Sequence, residues 1–407
     1  MPEGESIFLS YRIPYPPNKG DKIRSWHILR HILQYGPVHV GALVDDPADL
    51  AHIGFLQGLA ASSCFSFLSR RQKIGRMVRG LASGQALSVA VAQDKALQHW
   101  MHSIMTSRPI TRIFVFSGQM GGYAMAYRGT GATIVMDFVD VDSEKWQQYA
   151  DSAFGIKRYI YGREARLMRA EEIRLAQASD ASLFVSPAEA ELFCLRTKLS
   201  KINIHAKPNG VDIDYFDPSA FTPPHKNERP LLVFTGAMDY RANIEAMRWF
   251  VTHVWPLVRS GLPDARLRIV GSNPSSEILA FHGNKGIEVT GRVDDVRPHI
   301  AGAHVAIAPL QIARGIQNKV LEAMAMARPV VATPQAFEGI EAEIGRHALV
   351  EAAPAAMARA IIGLVDHPAH AEKIGEAARA HVRHHYHWRH CLARLDVLIG
   401  QRLSETL

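Results

Sequence analysis

Lys319 and Glu322 stand three residues apart in the segment RGIQNKVLEAMAMARPVVAT (314–333), so on a helix they share one face. An ammonium beside the free N–H groups of a helix start suits phosphate oxygens. A carboxylate one turn on, which only accepts hydrogen bonds when ionised, suits a vicinal diol such as ribose. The plainer reading is an exposed i,i+3 ion pair worth about 0.2–0.5 kcal/mol. A second set of chemically able residues, Asp137, Asp140 and Asp142 in MDFVDVDSEKWQQY, follows an apolar run. It offers a catalytic base, a ligand for a sugar or acceptor hydroxyl, a metal site, or an ordinary helix N-cap.

Three further loops lie where a strand would hand over to a helix, the usual ligand-binding edge of an open α/β sheet. In YPPNKGDKIRSW, Gly20 precedes a helix whose N–H groups suit a phosphate. In FTGAMDYRANIEAM, Gly236 permits a sharp turn, and Arg241 and Asn243 follow it; an arginine there can hold a diphosphate bidentately, or be a surface residue beside an N-cap. In TGRVDDVRPHIAGA, the strand-end Gly291, Arg292 and Val293 border a nucleotide base, while Asp294 and Asp295 equally suit a helix N-terminus. The opening segment adds Arg314, Gly315, Ile316 and Asn318 around its helix start. The run HVRHHYHWRH contains His381, His384, His385, His387 and His390, but no Cys or carboxylate joins them at helical spacing, so no metal is expected.

These loops need strands and helices to hold them. VHVGALV, RIFVFSG, ATIVMDFV and ASLFVS, then LLVFTGA, ARLRIVGS, IEVTGRV, HVAIAPL and PVVAT, are short apolar runs that fit parallel strands buried on both faces. Helix-length stretches such as KIRSWHILRHILQYG, REARLMRAEEIRLAQAS and NIEAMRWFVTHVWPLVRSG alternate with them. Two doubly wound α/β domains follow, with a break near residue 205 in HAKPNGVDIDYFDPSAFTPPHKNERP. With 407 residues, 47% of them hydrophobic, the chain has the length for two cores.

No basic stretch followed by an apolar one opens the sequence, and no window reaches the roughly 18 apolar residues of a spanning helix, so cytoplasmic residence is expected. The three cysteines are odd in number and widely spaced, as reduced structural thiols are. The net charge of +7 points to a polyanion or an anionic surface as partner. Between Asp49 and Asp94 no acid occurs, while Arg70, Arg71, Lys73, Arg76 and Arg79 accompany Ile74, Met77, Val78 and Leu81 at helical spacing. That pattern reads either as contact with a membrane surface or as a solvated helix packed by one stripe.

KPNGVDIDYF (207–216), RLRIVGSNPSSEI, IEVTGRVDDVRPHIAGAHVAIAPL and GIQNKVLEAMAMARPVVAT stand in an order and spacing that resembles family 4 glycosyltransferases. The chain is most similar to the sugar transferases of bacterial exopolysaccharide and exosortase (PEP-CTERM) loci, and the resemblance covers nearly its whole length. It implies a GT-B architecture of two Rossmann-like domains facing a cleft. The first, acceptor-side domain (1–205) would be completed by a C-terminal helix over about 385–407, and the second (206–384) would bind the nucleotide sugar. It implies retaining, metal-independent transfer from a UDP- or GDP-linked sugar to a lipid-linked or glycan acceptor, with no cofactor and no nucleic acid, at most peripheral at the inner face of the cytoplasmic membrane. Glu322 matches the second Glu of the family's E-x7-E motif, implied to bind ribose. Asp140 and Asp137 are the candidate catalytic carboxylates, with Arg241 and Lys319 offsetting charge on the leaving diphosphate.

Two positions depart from that pattern. Arg314 stands where the motif has its first Glu, and Ala237 and Asn243 stand where relatives place Arg and Lys, with Arg241 as the nearby substitute. A nicotinamide-dependent oxidoreductase is disfavoured, because no G-x-G-x-x-G follows the first strand and SGQMGGYA has the wrong spacing. A GT-B epimerase or phosphorylase, and a non-catalytic basic protein binding membrane or nucleic acid, are the alternatives.

Overall fold

The computed structural model describes residues 4–18, 20–222, 224, 229–313 and 315–398. Among these residues thirteen strands form two sheets. The first contains β1 (Glu5–Ser10), β2 (Val38–Val44), β3 (Ser62–Phe67), β4 (Ile110–Phe116), β5 (Thr133–Val139), β6 (Ala181–Phe184) and β7 (Ile204–Ala206). The second contains β8 (Leu231–Thr235), β9 (Arg266–Val270), β10 (Ile287–Gly291), β11 (Val305–Ala308), β12 (Val330–Ala332) and β13 (Leu349–Val350). Their spatial orders are β3-β2-β1-β4-β5-β6-β7 and β10-β9-β8-β11-β12-β13, with parallel pairing throughout. Both are doubly wound orders with reversal points at β1/β4 and β8/β11, and in such sheets ligands bind at the strands' carboxyl ends beside the reversal.

The apolar runs read from sequence become β2, β4, β5, β6, β8, β9, β10, β11 and β12. Residues of β2, β8 and β11 are buried without alternation, as strands covered on both faces must be. β1, β3, β7 and β13 were not among those runs. β3 and β7 lie at sheet edges and stay half-buried, so SSCFSF and IHA carry little apolar signal. β13 is only two residues long, and β1 is short and opens on Glu5.

By compactness, Met1–Pro208 with Leu392–Leu407 forms one unit, and Asn209–Cys391 the other. In the first unit, the helix Gly20–Ile32 buries Lys22 and Arg24, which is unusual for such residues. Each has a carboxylate to meet it. Lys22 Nζ lies 2.6 Å from Asp49 Oδ1, and Arg24 grips both carboxylate oxygens of Asp137 and donates to the Lys207 carbonyl at 2.6 Å. The same helix receives the chain's last described helix, Trp388–Leu398: His31 Nε2 and the Tyr35 hydroxyl both reach Asp396 Oδ1, at 2.6 and 2.8 Å. No helix among the described residues is long and apolar enough to cross a membrane.

In the second unit, Leu232, Phe234, Leu267, Ile269, Val305 and Val331 are wholly or almost wholly buried at the heart of the core. The helix Asn318–Ala325 turns Val320, Leu321, Ala323 and Met324 into that core, leaving Lys319 and Glu322 on its partly exposed side.

Candidate functional site

The carboxyl end of β8 supplies the floor of the site. Gly236 follows Thr235 with φ +153, and its N–H donates to the Val270 carbonyl of β9. A Cβ on Gly236 would stand 2.7 Å from Asn243 Nδ2 and 3.0 Å from Lys319 Nζ. Gly271 is tighter still, because its Cβ would fall 1.6 Å from the Gly236 carbonyl oxygen. Two bare glycines thus let two strand ends and two side chains meet in a space that one methyl group would block.

Into that space Lys319 Nζ donates to Asn243 Oδ1 at 2.6 Å, while Asn243 Nδ2 donates to the Ala237 carbonyl at 2.8 Å. The amide is thereby oriented with its oxygen toward the ammonium. Nζ also lies 4.2 Å from the centroid of the Phe234 ring, a favourable seat for a cation. Burial pulls the Lys319 amine down to about 7 and pushes the Glu322 carboxyl up to about 7, with each group's charge partly opposing the shift of the other. The helix start has no side-chain cap and presents the positive end of its dipole beside Lys319. Together these groups can take a diphosphate at Lys319 and hydroxyls at Glu322.

The remaining expected donor contacts are placed as follows. Arg241 opens the helix Arg241–Trp249 with its side chain 76% exposed, and its Nε donates to Glu245 at 2.7 Å. Gly291 ends β10 with φ +71, Arg292 is exposed, and Val293 packs against the core. Asp295 is taken by Arg297, whose backbone N–H and guanidinium both donate to it. Gly315 adopts φ +63, Ile316 is buried, and Asn318 Oδ1 faces Asn209 Nδ2 at 3.4 Å. Arg314, the departure from the E-x7-E motif, lies outside the described residues. Gly20, in the other unit, is the first residue of its helix and exposed, with nothing within 4 Å of where a Cβ would be. Phe234 and Gly271 were not among the residues singled out from sequence.

In the first unit the aspartates separate. Asp137 is fully buried, and beside its pair with Arg24 its Oδ1 accepts the Val139 N–H at 3.1 Å. Val139 has φ +69, a strained conformation for a β-branched residue, and the turn leaves Asp140 exposed. Asp142 accepts from Gln119 Nε2 at 2.8 Å, and burial pushes its carboxyl up to about 6. Glu172, which was not singled out from sequence, accepts from the Ser143 N–H and hydroxyl and is pushed by burial up to about 7. Of the basic helix, now Arg70–Ala82, Arg70, Arg71, Lys73 and Arg79 are exposed. Arg76 instead turns inward to the Val91 carbonyl and Asp94. The histidine run forms ring contacts such as His347–His381 at 4.5 Å and His381–His385 at 4.4 Å. Among the described residues no three His, Cys, Asp or Glu side chains converge as a metal site.

Residues 229–367 match the family model described as "Glycosyl transferases group 1". No curated protein matches the sequence. Among solved structures, HepE from Anabaena in complex with UDP-glucose is 12% identical, with 98% of this chain and 100% of that one covered at a TM-score of 0.67. Sucrose-phosphate synthase from Thermosynechococcus elongatus is 16% identical, covering 97% and 98% at 0.68. A glycosyltransferase from Rickettsia africae is 14% identical, covering 99% and 100% at 0.66. The fold is therefore the GT-B fold of two Rossmann-like α/β units, and the site around Lys319 and Glu322 falls inside a segment whose family match supports a glycosyltransferase.

Proposed function

We propose that this chain is a retaining, metal-independent glycosyltransferase of family 4. It moves a sugar from a UDP- or GDP-linked donor to a hydroxyl of a lipid-linked or glycan acceptor, in the synthesis of exopolysaccharide or another cell-surface glycan. The observation that carries the reading is the Lys319–Asn243 pair over the bare turn at Gly236, with Glu322 one helical turn on, inside residues 229–367. Lys319 and the uncapped helix start offset the negative charge that grows on the departing diphosphate, which elsewhere is the work of a divalent ion. Glu322 accepts from the ribose hydroxyls.

Arg241, whose side chain is 76% exposed and makes an i,i+4 pair with Glu245, is the nearby guanidinium offered to the same diphosphate. Arg292 and Val293 border the base, and Gly315, Ile316 and Asn318 shape the loop beside the phosphates. In the first unit, exposed Asp140 is the carboxylate offered to an acceptor hydroxyl. The UDP-glucose found in HepE supports a uridine nucleotide as the first donor to try. Exposed Arg70, Arg71, Lys73 and Arg79 support a peripheral position at the anionic inner face of a cytoplasmic membrane, where a lipid-linked acceptor would reside.

Calorimetry with a panel of nucleotides and nucleotide sugars, followed by turnover of the best donor, tests the reading. Glu322→Ala is expected to abolish donor binding or turnover with the fold intact, and EDTA to leave turnover unchanged. Donor affinity and activity equal to wild type in that variant would overturn the assignment of the site.

A further inference from the structure

Two exposed apolar surfaces in the first unit stand next to each other in the fold. The helices Asp142–Ser152 and Ile156–Ala178 form a hairpin whose tip is Phe154-Gly155. At that tip Phe154 is 90% exposed, Ile156 76% and Tyr159 75%. Single exposed apolar residues need no explanation, but three large ones within six positions do. The hairpin is braced just behind the tip by the rings of Trp146, Tyr149 and Tyr161, with centroids 5.7 to 6.0 Å apart, so the tip projects from a packed base.

One turn further on, Arg163 donates to the Gln85 carbonyl at 3.1 Å and the Gly80 carbonyl at 3.5 Å. Glu164 accepts from the Leu87 and Ser88 N–H groups. These bonds fix the hairpin to the end of the basic helix Arg70–Ala82, whose inward side is Arg76, Met77 and Gly80. Its outward side carries Ile74, Val78 and Leu81, each more than half exposed, at i, i+4 and i+7.

The charges around both surfaces are mostly of one sign, with exposed Asp151 behind the tip the exception. Arg70, Arg71, Lys73 and Arg79 flank the helix stripe, Lys157 and Arg158 flank the tip, and all six are exposed. No acid occurs between Asp49 and Asp94, nor between Asp151 and Glu164. Such a face repels a second copy of itself. It suits a surface that is anionic at its boundary and apolar beneath.

We infer that the hairpin tip Phe154–Tyr159 inserts into the interface of an anionic lipid bilayer, with the outward face of the helix Arg70–Ala82 lying beside it on the same membrane. The aromatic and aliphatic side chains enter the acyl boundary, and the six cations meet lipid phosphates. This rests on the membrane reading of the basic helix given above, and adds to it the element that penetrates.

Flotation of the full chain with vesicles of phosphatidylglycerol and phosphatidylethanolamine, against phosphatidylcholine vesicles, is the test. Wild type is expected to float only with the anionic vesicles. A Phe154→Ser/Ile156→Ser/Tyr159→Ser variant is expected to lose about tenfold or more in partition at low and high salt, with its melting temperature and nucleotide affinity kept. An Arg70→Gln/Arg71→Gln/Lys73→Gln/Arg79→Gln variant is expected to lose binding mainly at low salt. Quenching of Phe154→Trp emission by brominated lipid, above the wild-type level, reports insertion directly. Loss confined to the glutamine variant, or no added quenching, overturns insertion of the tip and leaves the basic helix as the contact. Failure of wild type to float overturns both, and a dimer in solution that the serine variant dissociates assigns the face to self-association instead.

Discussion

Lys319 Nζ donates to Asn243 Oδ1 at 2.6 Å across 76 residues of sequence, so this cation, which we propose meets phosphate, is held by a neutral acceptor rather than a carboxylate. A neutral partner leaves the charge unspent. Burial lowers the amine to about 7 from 10.5, so in the free protein much of it is deprotonated at pH 8. An incoming diphosphate pulls that equilibrium back to the ammonium. Binding of a nucleoside diphosphate at pH 8 is therefore expected to take up protons, and less so at pH 6; calorimetry in buffers of different ionisation heat measures this. Lys319→Met is expected to remove the uptake and weaken affinity about 10- to 100-fold. Proton release on binding, or uptake that survives in the variant, would exclude the assignment.

Glu322 has the opposite sensitivity. Its carboxyl is raised to about 7 from 4.5, so it loses its acceptor character for ribose hydroxyls as pH falls below 7. If Glu322 meets ribose as proposed, Glu322→Gln should weaken UDP or GDP about tenfold while leaving inorganic diphosphate affinity unchanged. The native fold binds more protons than the unfolded chain between pH 4.5 and 7, so this group's contribution to stability is present at low pH and declines through that window. The glutamine variant should therefore lose less stability than wild type from pH 5 to 7, by about 1 kcal/mol after allowance for partial exposure. Parallel pH-stability curves for the two proteins would count against the raised carboxyl.

What the sequence disclosed here follows from which interactions are local. LLVFTGA and HVAIAPL announce buried parallel strands because both faces demand apolar residues, and Lys319 with Glu322 is legible because helical spacing alone puts them on one side. Asn243 as the acceptor for Lys319 is not legible, because the fold joins two segments that no local pattern links. The same holds for Gly271, whose need for a bare Cα arises from the Gly236 carbonyl on the neighbouring strand. Arg24 reads as a surface residue until its carboxylate, 113 residues away, is seen. Asp137 reads as chemistry for the same reason, since a strand-end carboxylate looks alike whether water or a guanidinium meets it. Arg76 reads as one of five outward cations, yet it sits on the helix side that packs against Val91 and Asp94.

The turn at Gly236 can be closed by one methyl group. Gly236→Ala would place a carbon 3.0 Å from Lys319 Nζ and 2.7 Å from Asn243 Nδ2 at a φ that disfavours a side chain. The flexible lysine can retreat but the amide is held by the Ala237 carbonyl, so the pair separates. Nucleotide affinity should fall about tenfold or more for a stability cost of about 1–2 kcal/mol. Gly271→Ala meets backbone at 1.6 Å and has no such escape, so about 3 kcal/mol or more is expected from chemical denaturation. An alanine variant at 236 with native nucleotide affinity would show that the ligand does not approach this turn.

Asp137 links the first unit's stability to the carboxylate that follows it. Arg24 neutralises its charge, and its Oδ1 also holds the N–H of Val139, the strained residue that leaves Asp140 exposed. Removing the guanidinium leaves a fully buried carboxylate without its cation, so Arg24→Met is expected to cost about 3–5 kcal/mol in urea denaturation. Replacing both partners, in Arg24→Met/Asp137→Leu, should recover part of that loss, because two apolar side chains need no pairing. If Asp140 meets the acceptor hydroxyl, the double variant should bind nucleotide normally but turn over slowly, since nothing then fixes the Val139 turn. Asp140→Asn, with its exposed side chain, should lower turnover at unchanged stability. Equal turnover in wild type, Asp140→Asn and the double variant would remove the β5 carboxylates from the reaction and leave Arg24 and Asp137 as a buried brace of the fold.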